Sequence, residues 1–205
     1  MAVKEISQEE RAIYTRHPQG VAERLCEATV GIAGLGGLGS AVATALARSG
    51  VGRLILVDFD RVEASNLNRQ HYFYDQIGRK KAQALTENLR RINPFPDYRG
   101  IAERITPQNA AALFRGADVL VEALDAAEEK AMLLNSCSQM TMVAASGLGG
   151  LGPCAELRVR RMGKRLFVVG DMHSDMSEGT LASRVGVVAH MQAHLVIRIL
   201  TGAEK

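Results

Sequence analysis

The sequence predicts an α/β protein on a doubly wound, mostly parallel sheet, with further strands of antiparallel character at its C-terminal end. Three observations carry this. A strand, glycine-rich turn, small-residue helix and second strand follow one another between Ala28 and Val57. Strand-like and helix-like segments then alternate as far as Ser146, the pattern that builds helices onto both faces of a parallel sheet. Beyond Gly147 the texture changes to loop and short alternating runs.

In order along the chain, residues 1–27 read as an N-terminal arm with helical character, and residues 28–205 as one domain. The apolar run ATVGIAG enters the glycine turn. Ser40 to Ser49 is alanine-rich, with Val42 and Leu46 on one face, and Gly50 and Gly52 stop it before the strand RLILVDFD. A parallel pair joined this way takes a right-handed crossover. Lys80 to Ile92 is an amphipathic helix ended by Asn93-Pro94, and Gln108 to Phe114 is another, stopped by Gly116; strand-like sequence follows each. ADVLVEALD and TMVAAS are strands separated by helical sequence from Glu128 to Met140. AELRVRR and RLFVVGD supply the C-terminal strands, and a helix from Val185 to Leu200 closes the domain.

Composition removes several function classes. A chain of 205 residues, 47% hydrophobic, suits one sizeable core. The net charge of +3 comes from Lys and Arg spread along the chain, so no nucleic-acid partner is expected. The N-terminus has no apolar signal region, and no stretch approaches the roughly 20 apolar residues that span a bilayer. Cys26, Cys137 and Cys154 are far apart and odd in number, as suits reduced thiols in a cytoplasm. Without a C-x-x-C pair, no zinc site is expected.

The chemistry starts at Gly34-Leu35-Gly36-Gly37-Leu38-Gly39, a G-x-G-x-x-G turn between strand and helix, where backbone N–H groups and the helix dipole favour phosphate. Asp58, at the end of the next strand, is placed to accept hydrogen bonds from ribose hydroxyls. Together these make a Rossmann-like adenosine-nucleotide site and do not separate NAD from ATP. The following segment, from Asp58 through Asp60, Asn66 and Arg69 to Gln70, crowds polar and cationic groups beyond what ribose needs.

Through GLGGLG, DFD and SNLNRQ the chain resembles the ThiF/MoeB/HesA family, bacterial relatives of ubiquitin-activating enzymes. The likeness continues through Gly78-Arg79-Lys80-Lys81 and Leu124-Asp125 to the last helix. The short form and the NLNRQ-H-Y-F wording look most like the thiamine-pathway ThiF type. The resemblance implies that the terminal glycine carboxylate of a small ubiquitin-like sulfur carrier, ThiS-like, attacks the α-phosphorus of ATP. Arg69 and Lys81 would stabilise the charge gathered in the transition state. Asp125 would hold Mg²⁺, Asn66 and Gln70 would bond phosphate or ribose, and Asp60 would orient the nucleotide or the metal. Tyr14-Thr15-Arg16 resembles the segment that carries an arginine into a partner subunit's site, which implies a homodimer. The sulfur donor would be a separate protein.

Other residues are weighed and set aside. Cys154 reads as a small thiol with no cation to activate it, and Asp171-Met-His173-Ser-Asp175 as a mobile loop over the carrier tail. His190 and His194 lack the glutamate of a zinc protease motif and read as packing or surface residues. Three alternatives stay open: another carrier or a tRNA-modifying relative within the same chemistry, an NAD-dependent oxidoreductase, and a non-catalytic scaffold.

Overall fold

The computed structural model describes residues 6–204, so the first five residues of the arm and Lys205 lie outside the described residues. The arm region forms α1 (Gln8–Ile13) and α2 (Val21–Glu27). The glycine-turn unit is β1 (Thr29–Ala33), α3 (Gly37–Arg48) and β2 (Arg53–Val57). There follow α4 (Lys81–Ile92), β3 (Asp97–Ile101), α5 (Ala110–Leu113) and β4 (Val119–Glu122). The chain ends with α6 (Ala127–Ser136), β5 (Thr141–Ala145), β6 (Arg158–Met162), β7 (Leu166–Gly170) and α7 (Ala182–Leu200).

The strands form one seven-stranded sheet in the order β3-β2-β1-β4-β5-β7-β6. The chain moves outward from β1 to β3, then returns to place β4 on the other flank of β1, which opens a crevice at the carboxyl ends of β1 and β4. Of the two C-terminal strands expected to depart from the parallel pattern, only β6 does: β7 runs parallel to β5, and β6 hairpins back along its outer edge.

The central strands β1, β2, β4 and β5 alternate between two cores, as the pleat requires. Val30, Ile32, Leu54, Leu56, Val121 and Val143 face the layer of α3, α4 and α7. Ile55, Val57, Leu120 and Met142 face Phe114 and Leu133 from the α5 and α6 side. Small residues on α3 let it lie close to both sheet and α7: Ala41, Ala43 and Ala47 are buried. The helix ends in a Schellman motif, with Val51 N–H donating to Leu46 C=O and Gly50 N–H to Ala47 C=O.

The expected helix at Gln108 to Phe114 is only one turn, opened by Thr106 and Asn109, whose side chains each accept a hydrogen bond from the other's backbone N–H at 3.3 and 2.7 Å. The arm packs at the base of the sheet. Tyr14 is buried and its hydroxyl accepts from Asn93 Nδ2 at 2.7 Å; that amide also donates to Ala47 C=O. Among the described residues no helix is long and apolar enough to cross a membrane.

Candidate functional site

The glycine turn is shaped by two close backbone approaches. Gly34 has φ +87°, and a Cβ there would meet Ala123 O at 2.5 Å; a Cβ on Gly39 would meet Gly34 O at 1.9 Å. Only glycine lets β1, β4 and α3 converge so tightly. Gly36 caps α3, whose first-turn N–H groups have no partner within the helix and face the crevice.

Asp58 holds this turn in shape. It is buried, its Oδ2 accepts from Leu35 N–H at 2.7 Å and its Oδ1 from Asp60 N–H at 2.8 Å. Burial raises its pKa, while those two N–H groups and the charge of Lys81 oppose the rise. The loop after β2 is tied to the same turn. Tyr72 donates from its hydroxyl to Leu35 C=O at 2.8 Å, and Ser40 Oγ accepts from His71 N–H while donating to Gly36 C=O.

Two cavities meet at this edge. The first is lined by Gly34, Gly36, Asp58, Asp60, Lys81 and Asp125, with Phe59, Arg104 and Met132 completing its wall. Lys81 is not the exposed first-turn lysine that its type suggests. It is 6% exposed and its Nζ lies 3.1 Å from Asp60 Oδ2, with Asp60 half open to solvent. The second cavity, about 570 Å³, contains Gly37, Arg69 and Asp125 and continues over Ala144, Ala145, Ser146 and Gly147. Leu124 and Asp125 line both. Asp125 is exposed, three residues beyond the end of β4.

Other expected residues are placed differently. Asn66 is buried and committed to its own turn: its Oδ1 accepts from Glu63 N–H at 3.1 Å and its amide meets Ser65 Oγ at 3.5 Å. Gln70 is buried beside Gly36, and its Oε1 has no hydrogen-bond partner. Neither lines a cavity. Arg69 Nη1 donates to Ser65 C=O and Asn68 Oδ1, which orients its guanidinium along the rim of the second cavity. Arg16 is exposed near Tyr14, at the end of the sheet away from the crevice, and lines neither cavity of its own chain.

Sequence reading missed an ion pair behind the second cavity. Glu122 accepts from Leu124 N–H at 2.7 Å and from Lys130 Nζ at 2.9 and 3.0 Å, and Lys130 lines the cavity. Burial raises the Glu122 pKa, with Lys130 opposing. Beneath them Gln192, wholly buried, donates to the main-chain carbonyls of Glu122 and Val143.

The loop expected to be mobile is anchored at its base. Asp171 accepts from Arg184 Nη2 at 2.5 Å and from His173 and Ser174 N–H at 2.9 and 2.8 Å. Burial alone would raise its pKa; these donors outweigh burial and hold the carboxyl below the usual range. Met172, at φ +73°, and Ser174 and Asp175 wall the second cavity, so the loop does lie over it. Cys154, His190 and His194 are exposed and outside both cavities.

A glycine turn at a helix N-terminus, a buried carboxylate after the second strand and a crevice at the switch point define a nucleotide-binding α/β protein of Rossmann type. The chain belongs to the ThiF family, whose model matches residues 9–205. It is 31% identical over 87% of its length to the tRNA threonylcarbamoyladenosine dehydratase of Escherichia coli K12, of which it spans 67%. It spans 59% of the corresponding Haemophilus influenzae protein, at 34% identity over 75% of this chain. With the molybdopterin-synthase adenylyltransferase of E. coli K12 it shares 29% identity over 89% of this chain and 77% of that one. The solved E. coli TcdA structure in complex with AMP superposes with a TM-score of 0.88 at 22% identity, covering 98% of both chains.

Proposed function

We propose that the chain catalyses ATP-dependent adenylation of the C-terminal glycine carboxylate of a small ubiquitin-like carrier of the ThiS type. The observation that carries the reading is the sharing of Leu124 and Asp125 by two cavities, which would let a nucleotide in one and a second substrate in the other meet at one point. The ATP ribose hydroxyls would sit against Asp58 and its phosphates against the first turn of α3. The second cavity suits an extended, narrow tail, because its floor at Ala144 to Gly147 is built of small residues.

In the reaction a carboxylate oxygen forms a bond to the α-phosphorus, the bond from that phosphorus to the bridging oxygen breaks, and pyrophosphate leaves. Lys81 and Arg69 would meet the developing charge from opposite sides of the crevice. The free carboxylate of Asp125 fits a hard divalent cation, and Mg²⁺ held there would neutralise phosphate charge. Arg16 would serve a second copy of the chain in a homodimer, since it faces away from its own crevice, while the arm around it keeps its packing on its own chain through Tyr14 and Asn93.

A second acceptor is supported by the 31% identity to a protein named as a tRNA threonylcarbamoyladenosine dehydratase: a carboxylate carried on tRNA, activated in the same way. ATP–pyrophosphate exchange with Mg²⁺, offered carriers ending in Gly-Gly and carboxylate-bearing tRNA in separate reactions, decides. Exchange that depends on a ThiS-like carrier is the expected result; exchange only with tRNA moves the acceptor, and none with either refutes adenylation.

A further inference from the structure

A third cavity, of about 590 Å³, shares no lining residue with the two at the crevice and falls in the size range of small-molecule sites. It opens in the helical layer, where the last turns of α3 and α4, the loop after β2 and the middle of α7 contribute Arg48, Arg91, His71 and His190. A cation in the last turn of a helix complements the helix dipole, which accounts for Arg48 and Arg91 taken singly. Their surroundings set them apart. Each crevice cavity mixes cations with carboxylates, Asp60 and Glu103 with Lys81 in the first and Glu122 and Asp175 with Arg69 in the second. Among the described residues no carboxylate lines the third.

The two histidines are held for a ligand. The His71 main chain is fixed at both ends: its N–H donates to Ser40 Oγ at 3.1 Å, and its C=O accepts from Nδ2 of the buried Asn88 at 3.1 Å. Its Nδ1 lies 3.1 Å from Thr44 Oγ1, whose own proton goes to Ser40 C=O at 2.9 Å. Nδ1 therefore carries the hydrogen, and Nε2 is left for another partner. His190 is set the same way, with Nδ1 2.8 Å from Gly186 C=O, a group that can only accept. Two such nitrogens would also suit a metal ion, but Arg48 and Arg91 beside them oppose a cation, and among the described residues no third ligand joins them. Partial burial, then the charges of His190 and Arg48, lower the His71 pKa, so an anion seated between them would draw a proton onto the ring. Ala45, Phe73 and Ile92 give the cavity an apolar wall.

We propose that this cavity binds a small organic phosphate, its phosphoryl group held by Arg48, Arg91 and the Nε2 atoms of His71 and His190, and its apolar body laid against Phe73 and Ile92. The site depends neither on the adenylation reading nor on the nature of the acceptor. Binding takes up a proton at the histidines, because the anion favours their charged form. Affinity is therefore highest at mildly acidic pH and falls as pH rises.

The test is calorimetry on the whole chain with phenyl phosphate as the probe, in excess AMPCPP so that the glycine turn at the crevice is occupied. Phenyl sulfate, whose charge is constant with pH, reads the pH dependence. The wild type is expected to bind both, and to hold phenyl sulfate about tenfold more tightly at about pH 6 than at about pH 8. Arg91→Met, at an exposed position, is expected to weaken phenyl phosphate about tenfold. His71→Gln combined with His190→Gln is expected to abolish the pH dependence, with the unfolding midpoint showing that the variant is folded. No binding by the wild type at either pH overturns the proposal, including the case in which a second copy of the chain closes the cavity. Binding that Arg91→Met leaves unchanged also overturns it and assigns the probe to another place. Inorganic phosphate bound as tightly as phenyl phosphate overturns the organic class of ligand, and phenyl sulfate binding that does not vary with pH in the wild type overturns the part given to the histidines.

Discussion

The two cavities that meet at Asp125 are built by different means. The nucleotide side is a backbone object: glycines admit close approaches, and Asp58, Tyr72 and Ser40 fasten the turn by hydrogen bonds to main-chain groups. The acceptor side is a side-chain object, held by Glu122 with Lys130 and Asp171 with Arg184, pairs that join separate elements. The difference teaches that a chemically constant substrate can be met by fixed main-chain geometry, whereas a variable one is met by walls whose side chains can be exchanged.

The sharpest way to break this contrast is at Arg184. Arg184→Met leaves Asp171 buried without its cation and is expected to cost about 3–5 kcal/mol, read by chemical denaturation, while ATP affinity of the folded protein stays close to wild type. A parallel loss of ATP affinity would show that the two sides are not separately built. Arg69→Ala, at the rim of the second cavity, is expected to lower the exchange rate by about 10²–10³ with unchanged unfolding; wild-type turnover would remove Arg69 from the reaction.

Asp58→Asn acts on the nucleotide side alone. With one acceptor oxygen in place of two, it is expected to weaken ATP binding by about 1.5–3 kcal/mol, measured by calorimetry, and to leave carrier binding unchanged. Gly78→Ala is a milder probe: φ is +85° but a Cβ would meet nothing within 4 Å, so the cost is confined to backbone strain of about 1–2 kcal/mol.

The smallest effects separate the two ion pairs by pH. Asp171 has a depressed native pKa, so its stabilisation is complete above the ordinary aspartate value of about 3.9 and is lost as pH falls through the native value. Glu122 has a raised one, so its ionisation erodes stability as pH rises above about 4.3. Asp171→Asn should therefore converge with the wild type only in strong acid, whereas Glu122→Gln should gain relative to the wild type between mildly acidic and neutral pH. Denaturation midpoints across that range test both signs.

The nucleotide side was legible in the sequence because its parts are close along the chain: the glycine turn, Asp58, Asp60 and Lys81 lie within one strand-helix-strand unit and the helix after it. Lys81 was found by resemblance, and its burial against Asp60 was not found, since an isolated lysine carries no mark of what covers it. Asn66 and Gln70 were assigned to the nucleotide by resemblance; the fold spends Asn66 on its own turn. Asp171 read as part of a mobile loop, and its partner Arg184, like the pair Glu122 and Lys130, went unnoticed, because pairing across elements leaves no period. Arg104, stacked 3.7 Å from the Phe59 ring centroid, was missed for the same reason. The direction of β7 was equally hidden, as alternation fixes which face a residue takes and not which way a strand runs.

Glu122 binds Leu124 through its side chain, Lys130 through charge and Gln192 through its main chain. For anyone seeking to retarget this scaffold to a different acceptor, these residues form one transplant unit: a graft of the acceptor wall that brings a new Lys130 without its Glu122 and Gln192 would leave the segment bearing Asp125 unanchored, and would forfeit the reaction in the attempt to change its substrate.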